Sequence, residues 1–364
     1  MASVQRGAVD VFDVAARLIA DVWPHDAAGS EMHLGDLAWG VHRQTPATVE
    51  SLRLWPSIDD PQALTKYDGR GVCDLVVRRT NAGYEAAIEA IAWAERECES
   101  RAPEGADGIE LRVGRRIADA RLIELLVERG FRRCTGGFPA LARTLEPAAV
   151  PDIAVPRGYA IRRLHSDEIG ARCGCFEAAF PREPLSIESY RALQACSIYE
   201  PRLDVVAVSA SGEVAAFATL WLDRVNRVAQ IEPAGCDPQH RRRGLTRSAI
   251  LTALAAARDL GAESALVRHG HHNVAARRLY QACGFRVESD LAGFAKQINL
   301  GRESKGATAS IPPMRDNGAS GAHPAGPQGT VRNGQDRASA ATSGHTPRST
   351  YGSEGWGFES LPAR

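Results

Sequence analysis

Lysine is almost missing from this chain. It stands only at positions 66, 296 and 305, so arginine supplies nearly all of the 44 basic residues. That bias reads as GC-rich coding and not as function. Excess charge is missing too, because the acidic residues also number 44. A neutral chain has no general pull toward nucleic acid or a membrane surface. No apolar run reaches the roughly 18 residues needed to span a bilayer. A secretory leader is not expected, because Asp10, Asp13, Arg17 and Asp21 interrupt residues 9–22. Zinc-type spacing is lacking as well. The eight cysteines, at 73, 98, 134, 173, 175, 196, 236 and 283, form no CxxC pair. They read as reduced thiols of a cytoplasmic protein, with no metal expected.

The length of 364 residues is enough for two domains and a tail. Residues 1–148 form one mixed α/β block. Its clearest helix runs from Tyr84 to Glu99, with Ala87, Ile88, Ile91, Ala94 and Cys98 on one side. A linker at 149–158 contains Pro151 and Pro156. Residues 159–299 form a second α/β block. Residues 300–364 are rich in Gly, Ser, Ala, Pro and Thr and have too little apolar surface to fold, so a disordered tail is expected. Its end, 355–364, resembles the conceptual translation of a transfer-RNA gene.

The two blocks look like copies of one another. Gly130-Phe131-Arg132 and Gly284-Phe285-Arg286 stand in one register, which places Asp119 on Asn273. Each pattern is a short helix stopped by a glycine and followed by a strand. Leu126 stands where the second block has Tyr280. The first copy is expected to keep the fold and to have lost the chemistry.

Apolar runs in the second block predict strands at 159–164, 203–209, 214–222, 228–234, 264–268, 285–289 and 293–298. Helices are expected at 167–180, 187–195, 245–260 and 274–282. Between a strand and a helix lies Arg241-Arg242-Arg243-Gly244-Leu245-Thr246. A helix N-terminus offers unused backbone N–H groups and the positive end of the dipole. Phosphate oxygens fit there, provided the chain lacks bulk at the fold-over, which suits Gly244. The three arginines add charge. This layout makes a cradle for a pyrophosphate.

Asp237-Pro238-Gln239-His240-Arg241 through Leu245, followed by Asn273, Leu279-Tyr280 and Gly284-Phe285, resembles the GNAT superfamily of acyl-CoA-dependent N-acetyltransferases. The family's turn ends on a small residue, where this chain has Thr246. Residues 1–299 as a whole resemble tandem-GNAT bacterial proteins, with a degenerate N-terminal copy before a competent C-terminal one. The resemblance implies two GNAT-like domains, each a mixed, mainly antiparallel sheet flanked by helices. It implies acetyl-CoA as acyl donor and direct transfer to a primary amine or a peptide N-terminus in a ternary complex. Backbone groups of Ala234, Gly235 and Cys236 would align the pantetheine arm. Arg241, Arg242, Arg243, Gly244, Leu245 and Thr246 would hold the pyrophosphate, and Asn273 would contact the pantetheine. Tyr280 would protonate the departing thiolate.

The base has more than one candidate. Glu232 precedes the turn and would deprotonate the ammonium, unless it pairs with Arg224 or Arg227. His240, His269, His271 and His272 compete with it. The segment 176–199, with Phe176, Phe180, Tyr190 and Tyr199, is the expected acceptor-side wall. A non-catalytic acyl-CoA-binding module or a structural pseudo-enzyme remains the alternative. The acceptor, the acyl chain and the choice between monomer and homodimer stay open.

Overall fold

The structure, a computed structural model, describes residues 2–23, 32–43, 52–69, 71–113, 119–134, 140–144, 153–181, 183–270, 273–289 and 293–300. The expected tail beyond residue 300, the first four linker residues (149–152), and His271 and His272 lie outside these.

The chain opens with helices α1 (Ala2–Val22) and α2 (Leu34–Arg43). Strands β1 (Leu52–Trp55), β2 (Ala63–Tyr67) and β3 (Val72–Val77) follow, then α3 (Asn81–Ser100), β4 (Gly108–Val113), α4 (Ala120–Glu128) and the short β5 (Arg132–Cys134). Thr80 starts α3 by accepting from the Gly83 N–H, and Asp119 starts α4 by accepting from Leu122 N–H. The buried side of α3 differs from expectation at one position. Ile88 is 41% exposed, and Trp93 with Ala86 and Ala90 fills the core. Large aromatic volume decides which way this helix turns: Trp93 packs on Trp55 and Tyr67 across the sheet.

Strands β6 (Ala140–Thr144), β7 (Tyr159–Arg163), β8 (Asp204–Ser209), β9 (Val214–Asp223), β10 (Val228–Cys236), β11 (Ser264–Arg268), β12 (Arg286–Ser289) and β13 (Gly293–Asn299) complete the strands. They are interleaved with α5 (Ile169–Ala179), α6 (Ile187–Ala195), α7 (Leu245–Asp259) and α8 (Val274–Ala282). The strand expected from 203 begins after a 3-10 turn at Pro201–Leu203, and Phe285 precedes β12. Every residue of β9 is buried, as a strand covered on both faces requires. Helix α7 packs on β7, β8, β9 and β10, and its alanines at 249, 253 and 257 allow the close approach.

Two sheets result, with orders β1-β2-β3-β4-β13-β5 and β12-β6-β11-β10-β9-β8-β7. Neighbours are antiparallel except β3 with β4 and β10 with β11, which are parallel. The last strand of each half sits in the sheet of the other. Strand β6 lies between β11 and β12, and β13 lies between β4 and β5. Helix α2 also crosses over, packing on α6, β9 and β10.

The repeat register holds in detail. Asn273 starts α8 by accepting from Ala276 N–H, as Asp119 does for α4. Both helices have nine residues, and Leu126 and Tyr280 are the seventh of each. Phe131 and Phe285 are each 2% exposed.

Candidate active site

The site begins where two parallel strands part. Strand β10 pairs with β11 only from Val228 to Gln230, opposite Ser264 to Leu266. On its other edge β10 stays paired with β9, apart from a bulge between Ile231 and Ala234. Pro233 has no N–H to give, and the bulge bends the strand away from its parallel neighbour. Past Gln230 the backbone of β10, including Ala234, Gly235 and Cys236, has no ladder partner on the β11 side. The side chains at these positions do other work. Gly235 has no room for one, because a Cβ there would stand 2.5 Å from Phe217 Cζ. Cys236 and Leu245 are buried in a small cluster with Ala207, Ala215 and Ala216.

After β10, Asp237 turns the chain by accepting from Gln239 N–H at 2.8 Å. Arg242 has φ 63° and Gly244 φ 80°, so the chain folds over twice before α7. A Cβ at Gly244 would meet nothing within 4 Å. Left-handed backbone, not crowding, is what requires glycine here. Gly244 is the N-cap of α7 and has no side chain to cap it, so the first N–H groups of the helix stay available to an anion. Arg243 Nη1 donates to Tyr159 Oη at 2.7 Å, and that hydroxyl lies 2.8 Å from His240 Nδ1. The arginine donates, and the tyrosine hydroxyl shares its second hydrogen bond with His240 Nδ1, the direction set by the histidine tautomer. His240 thus braces the turn from outside and is not a wall of the cleft. Thr246 is buried, and its hydroxyl points back to Gly235 O at 3.5 Å. It neither crowds the helix mouth nor faces it.

Ile231, Glu232, Pro233 and Ala234 of β10 line a cleft together with Ala276 and Tyr280 of α8 and with Arg268 and His269 at the end of β11. The alternative partners of Glu232 are engaged elsewhere: Arg224 with Glu200 at 2.9 Å and Arg227 with Glu263 at 2.5 Å. Tyr280 is 4% exposed. Burial pushes its phenol well above the usual tyrosine range, and the charge of Glu232 pushes the same way. It therefore keeps its proton at neutral pH, as a proton donor must. The ring of His269 stacks on Tyr280 with centroids 6.3 Å apart. His269 Nδ1 lies 2.9 Å from Gly270 O, which can only accept, so Nδ1 carries the proton and Nε2 the lone pair. Asn273 uses its carbonyl to cap α8. Its buried Nδ2 has no hydrogen-bond partner among the described residues.

Phe176 and Phe180 also line the cleft, as expected of the 176–199 segment, but Tyr190 and Tyr199 do not. Both tyrosines donate to buried Asp204, at 2.6 and 2.8 Å. They hold α6 and the following turn on β8.

Residues 171–285 match the model of the acetyltransferase (GNAT) family. The matched segment resembles a GNAT acetyltransferase domain, and it contains the end of the β10–β11 pairing, the turn and the helix bearing Tyr280. Among solved structures, the GCN5-related N-acetyltransferase from Sphaerobacter thermophilus is similar at 18% identity and TM-score 0.53. The match covers 79% of this chain and 93% of that one. A tandem GNAT protein from the clavulanic acid biosynthesis pathway, in a form without acetyl-CoA, is similar at 14% identity and TM-score 0.52. That match covers 81% of this chain and 96% of the other. Both likenesses take in the two halves, so the chain has a tandem GNAT fold. No curated protein matches it. GNAT domains move an acetyl group from acetyl-CoA to an amine, and this domain supports that chemistry in general.

Three cleft residues carry no sequence signal. Trp39 arrives from α2, and Glu183 and Arg268 stand in no motif. Among the described residues, no helix is long and apolar enough to cross a membrane.

Proposed function

We propose that residues 159–299 are an acetyl-CoA-dependent N-acetyltransferase that acts on a primary amine. Residues 1–148 form a second copy that has lost the chemistry, and 149–158 is the linker between them. The reading rests above all on one observation: Glu232 and Tyr280 line one cleft just past the end of the β10–β11 pairing, on the strand that leads into a helix start without a side-chain cap.

The residues fit the acyl donor. The N–H groups at the start of α7, with Arg241, Arg242 and Arg243, suit a pyrophosphate, and the backbone of Leu245 and Thr246 completes the mouth. The open edge of Ala234, Gly235 and Cys236 offers peptide groups to the pantetheine amides, and Asn273 Nδ2 offers one more donor. Bound acetyl-CoA supplies an activated acyl carbon. Glu232, directly or through water, takes the proton of the acceptor ammonium, with His269 Nε2 as the competing base. A strand N–H of β10 stabilises charge that develops on the carbonyl oxygen. Tyr280 protonates the leaving sulfur.

In the first copy the turn between β3 and α3 is only Arg78-Arg79-Thr80, and Thr80 Oγ1 already takes a helix N–H at 3.0 Å. The equivalent of Tyr280 is Leu126. Neither a phosphate cradle nor an acid remains.

Thermal unfolding of the full chain with and without acetyl-CoA tests the reading. A ligand at 100 times its Kd adds about 2.7 kcal/mol to the native state, which gives a readable rise. We expect the rise in the parent and its loss in Gly244→Glu, which puts a carboxylate at the helix mouth. No rise at millimolar acetyl-CoA sinks the proposal.

A further inference from the structure

The ladder between β10 and β11 ends at Gln230 and Leu266, and beyond it each strand is held from its far side, β10 by β9 and β11 by β6. A link across the parting comes from the first half. Asp36, in the first turn of α2, accepts from Gln230 Nε2 at 2.9 Å through Oδ1 and forms an ion pair with Arg268 through Oδ2. Gln230 is the last residue of β10 in the ladder, and Arg268 is the last of β11. One carboxylate thus ties a residue of each strand. Gln230 is fully buried, and the Arg268 side chain is 6% exposed. Asp36 Oδ2 also accepts from the His33 N–H at 2.8 Å, which fixes the carboxylate to the start of its own helix. That start is docked tightly. His33 Nδ1 accepts from Gly35 N–H at 3.1 Å, which leaves Nε2 to donate to Val228 O at 3.3 Å. A Cβ at Gly35 would stand 2.5 Å from Trp221 Cδ1 and 2.6 Å from Gln230 Oε1. Trp221 in turn donates from Nε1 to Glu232 O at 2.6 Å.

What the tie holds is one end of the cleft. Glu232 follows Gln230 by two residues and His269 follows Arg268 directly, so both candidate bases stand just past it. Ala234, Gly235 and Cys236 continue the same strand. Removing the Asp36 charge takes a counter-ion from a buried guanidinium and lets the two strand ends move apart or together. Displacements near 1 Å matter here, because they are enough to cost about 10²-fold at a reacting centre. We propose that Asp36 is a positioning residue for the second half: through it the first half fixes the parting of β10 and β11, where the acyl arm of the donor lies. The inference rests on the acetyl-CoA reading above. It gives the first copy, which on that reading has lost its own phosphate mouth, a part in binding the donor of the second.

The test uses the full chain and calorimetry with two probes. One is acetyl-CoA; the other is adenosine 3′-phosphate 5′-diphosphate, which carries the pyrophosphate but no acyl arm. Asp36→Asn keeps the size of the side chain, but its amide cannot accept from Gln230 and Arg268 together. We expect acetyl-CoA affinity to fall by about tenfold or more while affinity for the fragment changes by less than about twofold. A merely structural role would weaken both probes alike. Ser197→Ala is the comparator: it removes the 2.6 Å bond from Ser197 Oγ to Asp13 that docks α1 away from the cleft, and it should leave both affinities unchanged. Gln230→Met, which removes the donor to Asp36 without changing charge, makes the same comparison if Asp36→Asn fails to fold. Undiminished acetyl-CoA affinity in the folded variant, or equal losses for the two probes, overturns the inference while acetyl-CoA binding still stands. A parent that binds acetyl-CoA and not the fragment contradicts the placing of the pyrophosphate at the start of α7, on which this inference depends. Absence of acetyl-CoA binding removes the donor reading and this inference with it.

Discussion

Gly235 and Phe217, partners across β10 and β9, leave no room for a side chain between them: a Cβ on Gly235 would stand 2.5 Å from Phe217 Cζ and 2.9 Å from Cε1. Arg172, fully buried, covers the same ring with its guanidinium carbon 3.5 Å from the centroid. The ring is therefore held by a buried cation while its tip crowds the Gly235 position. Gly235→Ala must move one of them. We expect it to cost about 1–3 kcal/mol, read as a lower urea midpoint at unchanged m-value. Phe217→Leu in the same chain should return part of that loss. Full stability in Gly235→Ala alone would show that the strand shifts freely.

Tyr280→Phe removes one hydroxyl from a packed helix. Turnover should fall on the order of 10²-fold with acetyl-CoA affinity little changed, as expected of a general acid. The raised phenol pKa has a stability counterpart. In the unfolded chain the tyrosine releases its proton near pH 10, while the folded chain retains it. Above that pH the unfolded state binds fewer protons, so stability falls as pH rises. Tyr280→Phe should lessen this alkaline loss.

Glu232→Gln separates the two candidate bases. If Glu232 takes the proton, the acidic limb of the kcat/KM profile flattens in the variant. An unaltered limb assigns the proton to His269.

Calorimetry on the full chain should give one acetyl-CoA per chain, because Thr80 occupies the helix mouth in the first half. A second bound equivalent would contradict the loss of that site.

His33 is wholly buried, and burial lowers its pKa from 6.5 to about 4, with Arg268 adding to the effect and Asp36 and Asp223 opposing it. Between these values the unfolded histidine binds a proton that the folded one refuses. Stability is therefore full above pH 6.5 and lost as pH falls toward 4, by about 3 kcal/mol in all. His33→Gln should flatten that slope in chemical unfolding across the window. An unchanged slope would trace the acid loss to other groups.

Local signals carried much of this site. Glycine at a helix stop, a capping Asp or Asn and the Arg-rich turn each act over a few residues, so the register of α4 with α8, the mouth of α7 and Tyr280 were legible. Directions were harder to read. Which side of α3 goes inward depends on where Trp93 finds room, and the Thr246 hydroxyl turns to a carbonyl eleven residues back. Least legible was what comes from far along the chain. Asp36 meets Arg268 across 232 positions, and no period or motif near either residue announces it. The crossing of β6 and β13 is hidden for the same reason, since a strand's own sequence shows which face is apolar but not which sheet receives it.

That crossing bears on how such a chain can change over time. If the second half supplies the acid and the phosphate mouth, as proposed, mutations can erase both from the first. They cannot erase the half itself, since it lends β6 to the second sheet and takes β13 in return. A cut between residues 144 and 159 should accordingly leave two pieces that stay together and elute as one body. On the proposed reading, the first half persists as a mechanical dependency of the second, held in the lineage by a loaned strand.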